Sequence, residues 1–252
     1  MPELLRVEGL AKHFGALRAV DGVDLVLPEG RRTALIGPNG AGKTTLINLV
    51  TGGLPPDAGR VFLRGAEITR LPVHRRVRLG LTRSFQIMNI FPRATTLENL
   101  LIPVLARLRR THRPWAGLGT ERAAVAEAEA LLVELGLAGF RDLPAAALSH
   151  GDQRLLELGI AVASQPALCF LDEPSAGLNP IERGTVMELI RRLSESRRTT
   201  FVIVEHDMDV VFSLADWIVV MNRGRVLAEG PPAEIRAHPE VRETYLGEEL
   251  EA

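Results

Sequence analysis

Residues Gly37 to Thr45 read GPNGAGKTT, and few short strings constrain a fold as tightly. They fit the pattern G-x-x-x-x-G-K-[ST], the P-loop or Walker A motif. Its glycines let successive backbone N–H groups turn toward a single anion, and the helix that follows adds its positive end. Such a loop needs a strand leading in and a helix leading out. The apolar run TALIG at 33–37 and the helix-like TTLINLVTG at 44–52 supply both. Asn39, Gly40, Ala41, Gly42, Lys43, Thr44 and Thr45 are therefore candidate contacts to a nucleotide. Lys43 has the reach for the β- and γ-phosphates, and Thr44 has the hydroxyl for Mg²⁺. Lys12 and Lys43 are the only lysines among 30 basic residues. In a chain that otherwise writes arginine, an ammonium inside the loop is a specific choice, because a guanidinium is larger and planar.

A P-loop binds a nucleotide without separating GTPases, kinases and ATPases, and the second half of the chain narrows the choice. LCFLDEP is an apolar strand ending in two carboxylates, which places Asp172 and Glu173 at the carboxyl edge of the sheet beside the loop. Asp172 suits the Mg²⁺ shell, and Glu173 suits a base that positions or deprotonates the attacking water. FVIVEHD repeats the design, with His206 in reach of the same edge as a donor to a terminal phosphate. Gln86, in TRSFQIMNIF, offers a neutral amide that can join the Mg²⁺ shell or orient water. A polar helix start at 147–163, ALSHGDQRLLELGIAVA, has Ser149 as its N-cap but crowds the first turn with His150, Gly151, Asp152 and Gln153.

Around these motifs the chain changes character twice. Short β-like runs and turn signals fill residues 4–36, with PEG at 28–30 the clearest turn, and 60–68 read as a hairpin turning at Gly65. From about 92 to 163 helical spacing takes over, with Thr96 and Asn99, or Thr120, as candidate starts. The stretch RRTHRPWAGLGT between two helical runs reads as an exposed connection. Strands alternating with helices then return, which implies a mainly parallel sheet in an α/β fold.

Composition excludes other classes. A net charge of -1 argues against a chain that works by blanketing nucleic acid. The lone Cys169, inside ALCFL, has no disulfide partner and reads as a buried small hydrophobe. The start MPELLRVEGL does not read as a signal peptide, and apolar runs such as WIVVM are far shorter than the ~20 residues a membrane span needs.

Taken in order, the P-loop, Gln86, the signature LSHGDQ, the Walker B strand LCFLDE, the D-loop SAGLN and His206 resemble the ATP-binding subunit of ABC transporters. The resemblance implies a P-loop NTPase (RecA-like) core at 1–91 and 164–252, an antiparallel β subdomain, and an inserted α-helical signature subdomain at 92–163. It implies ATP and Mg²⁺ as cofactors, and a second ATPase subunit, the same or a related chain, packed head to tail. Ser149, Gly151 and Gln153 of one subunit would then cap the ATP of the other. It also implies that Phe14 stacks on adenine and that Val20 adds apolar contact.

Two positions depart from the family pattern. His150 stands where a second glycine is usual, and Asn179 stands where the D-loop has aspartate. The wording of RSFQIMNIFPRATTLENL, DEPSAGLNPIE and the ending YLGEE most resembles the branched-chain amino-acid (Liv-type) uptake group. That group implies multi-span membrane permeases as partners, a solute-binding protein acting indirectly, no nucleic acid, and a peripheral place on the cytoplasmic face of the membrane. Ile87, Met88, Asn89 and Phe91 would receive a coupling helix of the permease. The alternative is a soluble ABC ATPase acting on nucleic acid or ribosomes. Such proteins usually carry two nucleotide modules or a long coiled-coil insert, which this sequence lacks. A regulator that only binds ATP fits poorly with Asp172, Glu173 and His206 together, and a small-molecule kinase leaves the signature helix unexplained.

Overall fold

The computed structural model describes residues 1–84, 90–108, 121–197 and 199–243. The chain opens with a long hairpin, β1 (Glu3–Phe14) and β2 (Leu17–Pro28). After β3 (Thr33–Ile36) and the phosphate loop comes α1 (Lys43–Thr51), then the expected small hairpin of β4 (Ala58–Leu63) and β5 (Ala66–Glu67). α2 (Val73–Arg78) and β6 (Leu81–Arg83) lead to a helical stretch of α3 (Thr96–Arg107), α4 (Arg122–Glu134) and α5 (His150–Ala163). Alternation follows, as β7 (Leu168–Asp172), α6 (Pro180–Arg197), β8 (Thr200–Val204), α7 (Met208–Leu214) and β9 (Trp217–Asn222). β10 (Arg225–Gly230) and the short α8 (Pro232–Ala237) come next.

The strands form two sheets. One is antiparallel, in the order β2-β1-β4-β5; the other runs β10-β9-β3-β8-β7-β6, parallel from β9 to β6 with β10 antiparallel at its edge. All four residues of β3 are buried, as befits a strand covered on both faces. The two-residue period of a strand sorts side chains between two cores. Leu168 and Phe170 of β7, with Val202 and Val204 of β8, pack toward α1 and the antiparallel sheet. Cys169, Leu171, Phe201 and Ile203 point the other way, into one cluster with Leu100, Leu131, Leu156 and Leu189 from the helices. The helical stretch thus shares its core with the sheet. Cys169 is fully buried there, and burial pushes its thiol up to about 12, so it is a small hydrophobe.

α3 starts at Thr96, as expected, and the residue before it supplies the cap. Thr95, not Thr96, caps α3: its hydroxyl accepts from the Glu98 N–H at 3.1 Å, and Glu98 Oε2 accepts from the Thr95 N–H at 2.8 Å, a complete capping box. Thr96 instead donates to the Leu143 carbonyl, and the buried Asn99 amide grips both the N–H and the carbonyl of Phe91. At the far end of α1, buried Arg76 donates to the carbonyls of Leu49 and Val50 and to those of Thr69 and Leu71. Carbonyls with no partner inside the helix are thereby satisfied, and the phosphate-loop helix is held from behind. The connection at 109–120, with Thr120, and the ending YLGEE lie outside the described residues. Among the described residues no helix is long and apolar enough to cross a membrane.

Candidate functional site

β3, β7 and β8 lie side by side and parallel, so their carboxyl ends share one edge. The first delivers the phosphate loop, the second the two carboxylates, and the third His206. The loop is held by close backbone contacts that only glycine permits. A Cβ on Gly37, at φ 142°, would lie 2.1 Å from the Met221 carbonyl oxygen, and one on Gly42, at φ 101°, would lie 2.2 Å from that of Ala19. Gly42 is the cap of α1, so the first free N–H groups of the helix open into the loop. Lys43 curls back over it, donating to the carbonyls of Gly37 at 2.5 Å and Pro38 at 3.1 Å. Burial pulls the Lys43 pKa down, against the charges of Glu173 and Asp172, which hold it up.

Facing the loop, Asp172 is 2% exposed and accepts from Arg83 Nη2 at 2.6 Å. Glu173 adopts a left-handed backbone, φ 49°, which costs a non-glycine residue about 1–3 kcal/mol. Its N–H donates to the Val204 carbonyl at 2.9 Å, and its Oε1 lies 3.2 Å from His206 Nε2. Behind them the buried carboxylate of Glu205 accepts from the N–H groups of Ser175 at 2.9 Å and His206 at 3.3 Å. Burial raises the Glu205 pKa, and those hydrogen bonds oppose the rise.

Between these groups lies a cavity of about 320 Å³, lined by Phe14, Leu17 and Ala19, by the loop from Asn39 to Thr45, and by Asp172, Glu173, Val204 and His206. Its lining combines an aromatic ring and apolar side chains, a stretch of backbone donors with one ammonium, and two carboxylates with an imidazole. Such a combination suits a nucleotide, with the ring for a base and the donors for its phosphates. Phe14 leaves 49% of its surface exposed, with Lys12 Nζ 5.8 Å from the ring centroid. Thr44 and Asp172 both line the cavity and are hard oxygen donors of the kind Mg²⁺ prefers; with few protein ligands, such an ion relies on phosphates and water.

Not every expected residue is gathered here. Val20 is a correction: it is fully buried in the core between α1 and the antiparallel sheet, and its strand neighbour Ala19 lines the cavity instead, because adjacent strand residues face opposite ways. Gln86, Ile87, Met88 and Asn89 lie outside the described residues, whereas Phe91 is described and 52% exposed. Ser149, Gly151 and Gln153 do not line this cavity. Ser149 caps α5, accepting from the Asp152 N–H at 3.1 Å and donating to Asp152 Oδ2 at 2.7 Å. Gln153 Nε2 donates to the Leu148 carbonyl at 3.1 Å. Gly151 abuts α6, where a Cβ would meet Glu182 Oε1 at 2.8 Å.

The two departures from the family pattern have local roles. Asn179 Oδ1 accepts from the N–H groups of Ile181 and Glu182, both at 3.0 Å, and so caps α6. The His150 imidazole lies over Gly177, whose absent Cβ would sit 3.2 Å from its Nε2. Arg83, Asn48 and Glu205 were invisible to sequence reasoning, since no local pattern announces a residue whose partners are distant. Leu17 and Ala19 were within reach of it, since they open β2, the strand that follows Phe14 across the hairpin turn.

The ABC transporter family profile matches residues 20–176, and that of the branched-chain amino acid ATP-binding cassette transporter matches residues 225–251. The high-affinity branched-chain amino acid transport ATP-binding protein BraF of Pseudomonas aeruginosa is 41% identical, over 97% of this chain and 98% of that protein. Its counterpart LivG of Salmonella typhimurium is 42% identical over the same shares. Among solved structures, an ATP-binding cassette of an ABC transporter in its ADP conformation superposes with a TM-score of 0.87 at 34% identity, covering 98% of this chain and 100% of that one. A nucleotide-free cassette gives 0.84 at 33%, covering 97% and 99%.

Proposed function

The chain belongs to the ABC transporter family, and on that premise we propose that it is the ATP-hydrolysing subunit of an importer carrying branched-chain amino acids, or a related small polar solute, through membrane permeases. One observation carries the reading. The phosphate loop, Asp172, Glu173 and His206 converge on one cavity while Ser149, Gly151 and Gln153 are outside its lining, which supports a site completed by a second subunit.

In this reading Phe14 stacks on adenine, the loop from Asn39 to Thr45 wraps the phosphates, and Lys43 leaves its carbonyl partners for the β- and γ-phosphates. Thr44 and Asp172, together with Gln86, would hold Mg²⁺, which would supply positive charge against the transferring phosphoryl group. Glu173 orients or deprotonates the attacking water, and His206, beside it, donates to the γ-phosphate. Ser149, Gly151 and Gln153 of a second ATPase subunit, the same or a related chain, cap the nucleotide from across the dimer. Closure on two nucleotides and reopening after hydrolysis drive the permeases between inward and outward states. Residues 92–163 act as the signature subdomain on a core of 1–91 and 164–252, and Phe91, beside Gln86, receives the permease at the cytoplasmic face of the membrane.

Glu173→Gln tests the site. ATP binding is expected to persist, hydrolysis to fall by about 10²-fold or more, and dimers to accumulate in ATP. Turnover near the native rate would remove Glu173 from the role of base.

A further inference from the structure

Asp172 is a carboxylate withdrawn from water at the end of β7, and such a group needs a fixed partner. It has one from an unexpected quarter. Arg83, the last residue of β6 and itself 10% exposed in its side chain, donates through Nη2 to Asp172 Oδ2 at 2.6 Å and through Nη1 to Asn48 Oδ1 at 2.5 Å. Asn48 sits on α1 one turn beyond Thr44. The adjacent Ser84 hydroxyl accepts from the Asp172 N–H at 3.3 Å. One guanidinium fork therefore joins the helix that carries Thr44 to the strand that carries Asp172.

Position decides what this fork can do. Asp172 and Thr44 line the nucleotide cavity, whereas Arg83 and Asn48 do not. The guanidinium bonds one oxygen of the carboxylate, Oδ2, while it does not itself line the cavity. A planar fork with two acceptors on different elements also fixes the rotation of the carboxylate and its spacing from the helix, which a point charge cannot do.

We propose that Arg83 is a positioning residue for the metal site: it bridges Asn48 and Asp172 so that the Asp172 carboxylate and the Thr44 hydroxyl are held at the separation a divalent cation needs. This rests on the reading of Asp172 and Thr44 as metal-holding residues. A plain structural tie between β6 and β7 would alter stability and leave the metal affinity of the folded protein unchanged.

The test uses the full chain loaded with ADP and titrated with Mn²⁺ in place of Mg²⁺, free Mn²⁺ being followed by electron paramagnetic resonance. Arg83→Met is expected to weaken Mn²⁺ binding about tenfold, the loss typical of removing a residue that orients a metal ligand, with ADP affinity in chelator unchanged. Arg83→Lys, which keeps the charge but reaches one acceptor, falls between. Asn48→Ala weakens binding about threefold, the scale of one hydrogen bond, and combined with Arg83→Met it adds little. Unchanged or tighter Mn²⁺ binding in folded Arg83→Met overturns the proposal; should that variant not fold, unchanged binding in Asn48→Ala overturns it. Asp172→Asn separates the two levels. If it loses Mn²⁺ while Arg83→Met keeps it, only the role of Arg83 fails; if it binds Mn²⁺ as the native chain does, the metal reading fails with it.

Discussion

Glu205 shows how much of the site depends on residues that touch nothing outside the protein. Its carboxylate, 3% exposed, ties the Ser175 N–H of the loop after the Walker B strand to the start of the turn that carries His206. Burial lifts its folded pKa above the ordinary 4.5, so the folded chain holds that proton more tightly than the unfolded one. Stability contributed by the protonated group is then complete below pH 4.5 and is lost as pH rises through the folded value. Glu205→Gln keeps an acceptor for Ser175 and cannot ionise. Urea unfolding at a series of pH values should show native stability falling relative to the variant as pH climbs from 4.5; parallel profiles would show that burial does not govern this group. At this scale the sequence was legible where local spacing sets position, as with Lys43, Thr44, Asp172 and Glu173, which all line the cavity. It was silent on Arg83, whose acceptors lie 35 and 89 residues away, because a pairing made by the fold leaves no periodic trace. It erred at Val20: Phe14 lines the cavity, but strand alternation turns the Val20 side chain into the core.

Among the elements, α3 starts at Thr96 as expected, but the residue before it is the cap. Two adjacent threonines offered two caps. The difference lies three positions on: Thr95 finds Glu98, which returns a hydrogen bond, while Thr96 would find Asn99, and Asn99 is committed to Phe91. Thr95→Ala is therefore expected to cost about 1 kcal/mol in urea unfolding. A change within error would mean that the capping box contributes nothing to the helix. The strands were easier to read, because β3, β7 and β8 are short apolar runs that end on functional residues, and their parallel order followed from the helices between them. The sharing of one core by α3 to α6 and the sheet was not foreseen, since hydrophobic spacing tells which face of a helix is buried but not against what.

Across the whole molecule, the chain builds a nucleotide cavity on one part of its surface and presents the signature turn elsewhere, with its side chains already satisfied. Ser149 is bonded to Asp152, Gln153 to Leu148, and Gly151 is pressed against Glu182. If the proposed dimer forms, backbone at a helix start, and not a reaching side chain, is what this turn would offer a neighbour's phosphates. Its contact with α6, itself capped by Asn179, places the signature turn and the D-loop side by side in one subunit. Order along the chain made the architecture readable, because several motifs in fixed succession have one common explanation.

The most direct measurement is to isolate tagged Glu173→Gln protein, with ATP and Mg²⁺, from detergent-solubilised membranes of its own source and to identify its companions by mass spectrometry. Recovery of multi-span permease subunits, with a second ATPase subunit of the same or related sequence, is the expected result. Ribosomal or DNA-repair proteins, with no membrane protein among them, would contradict the role in transport.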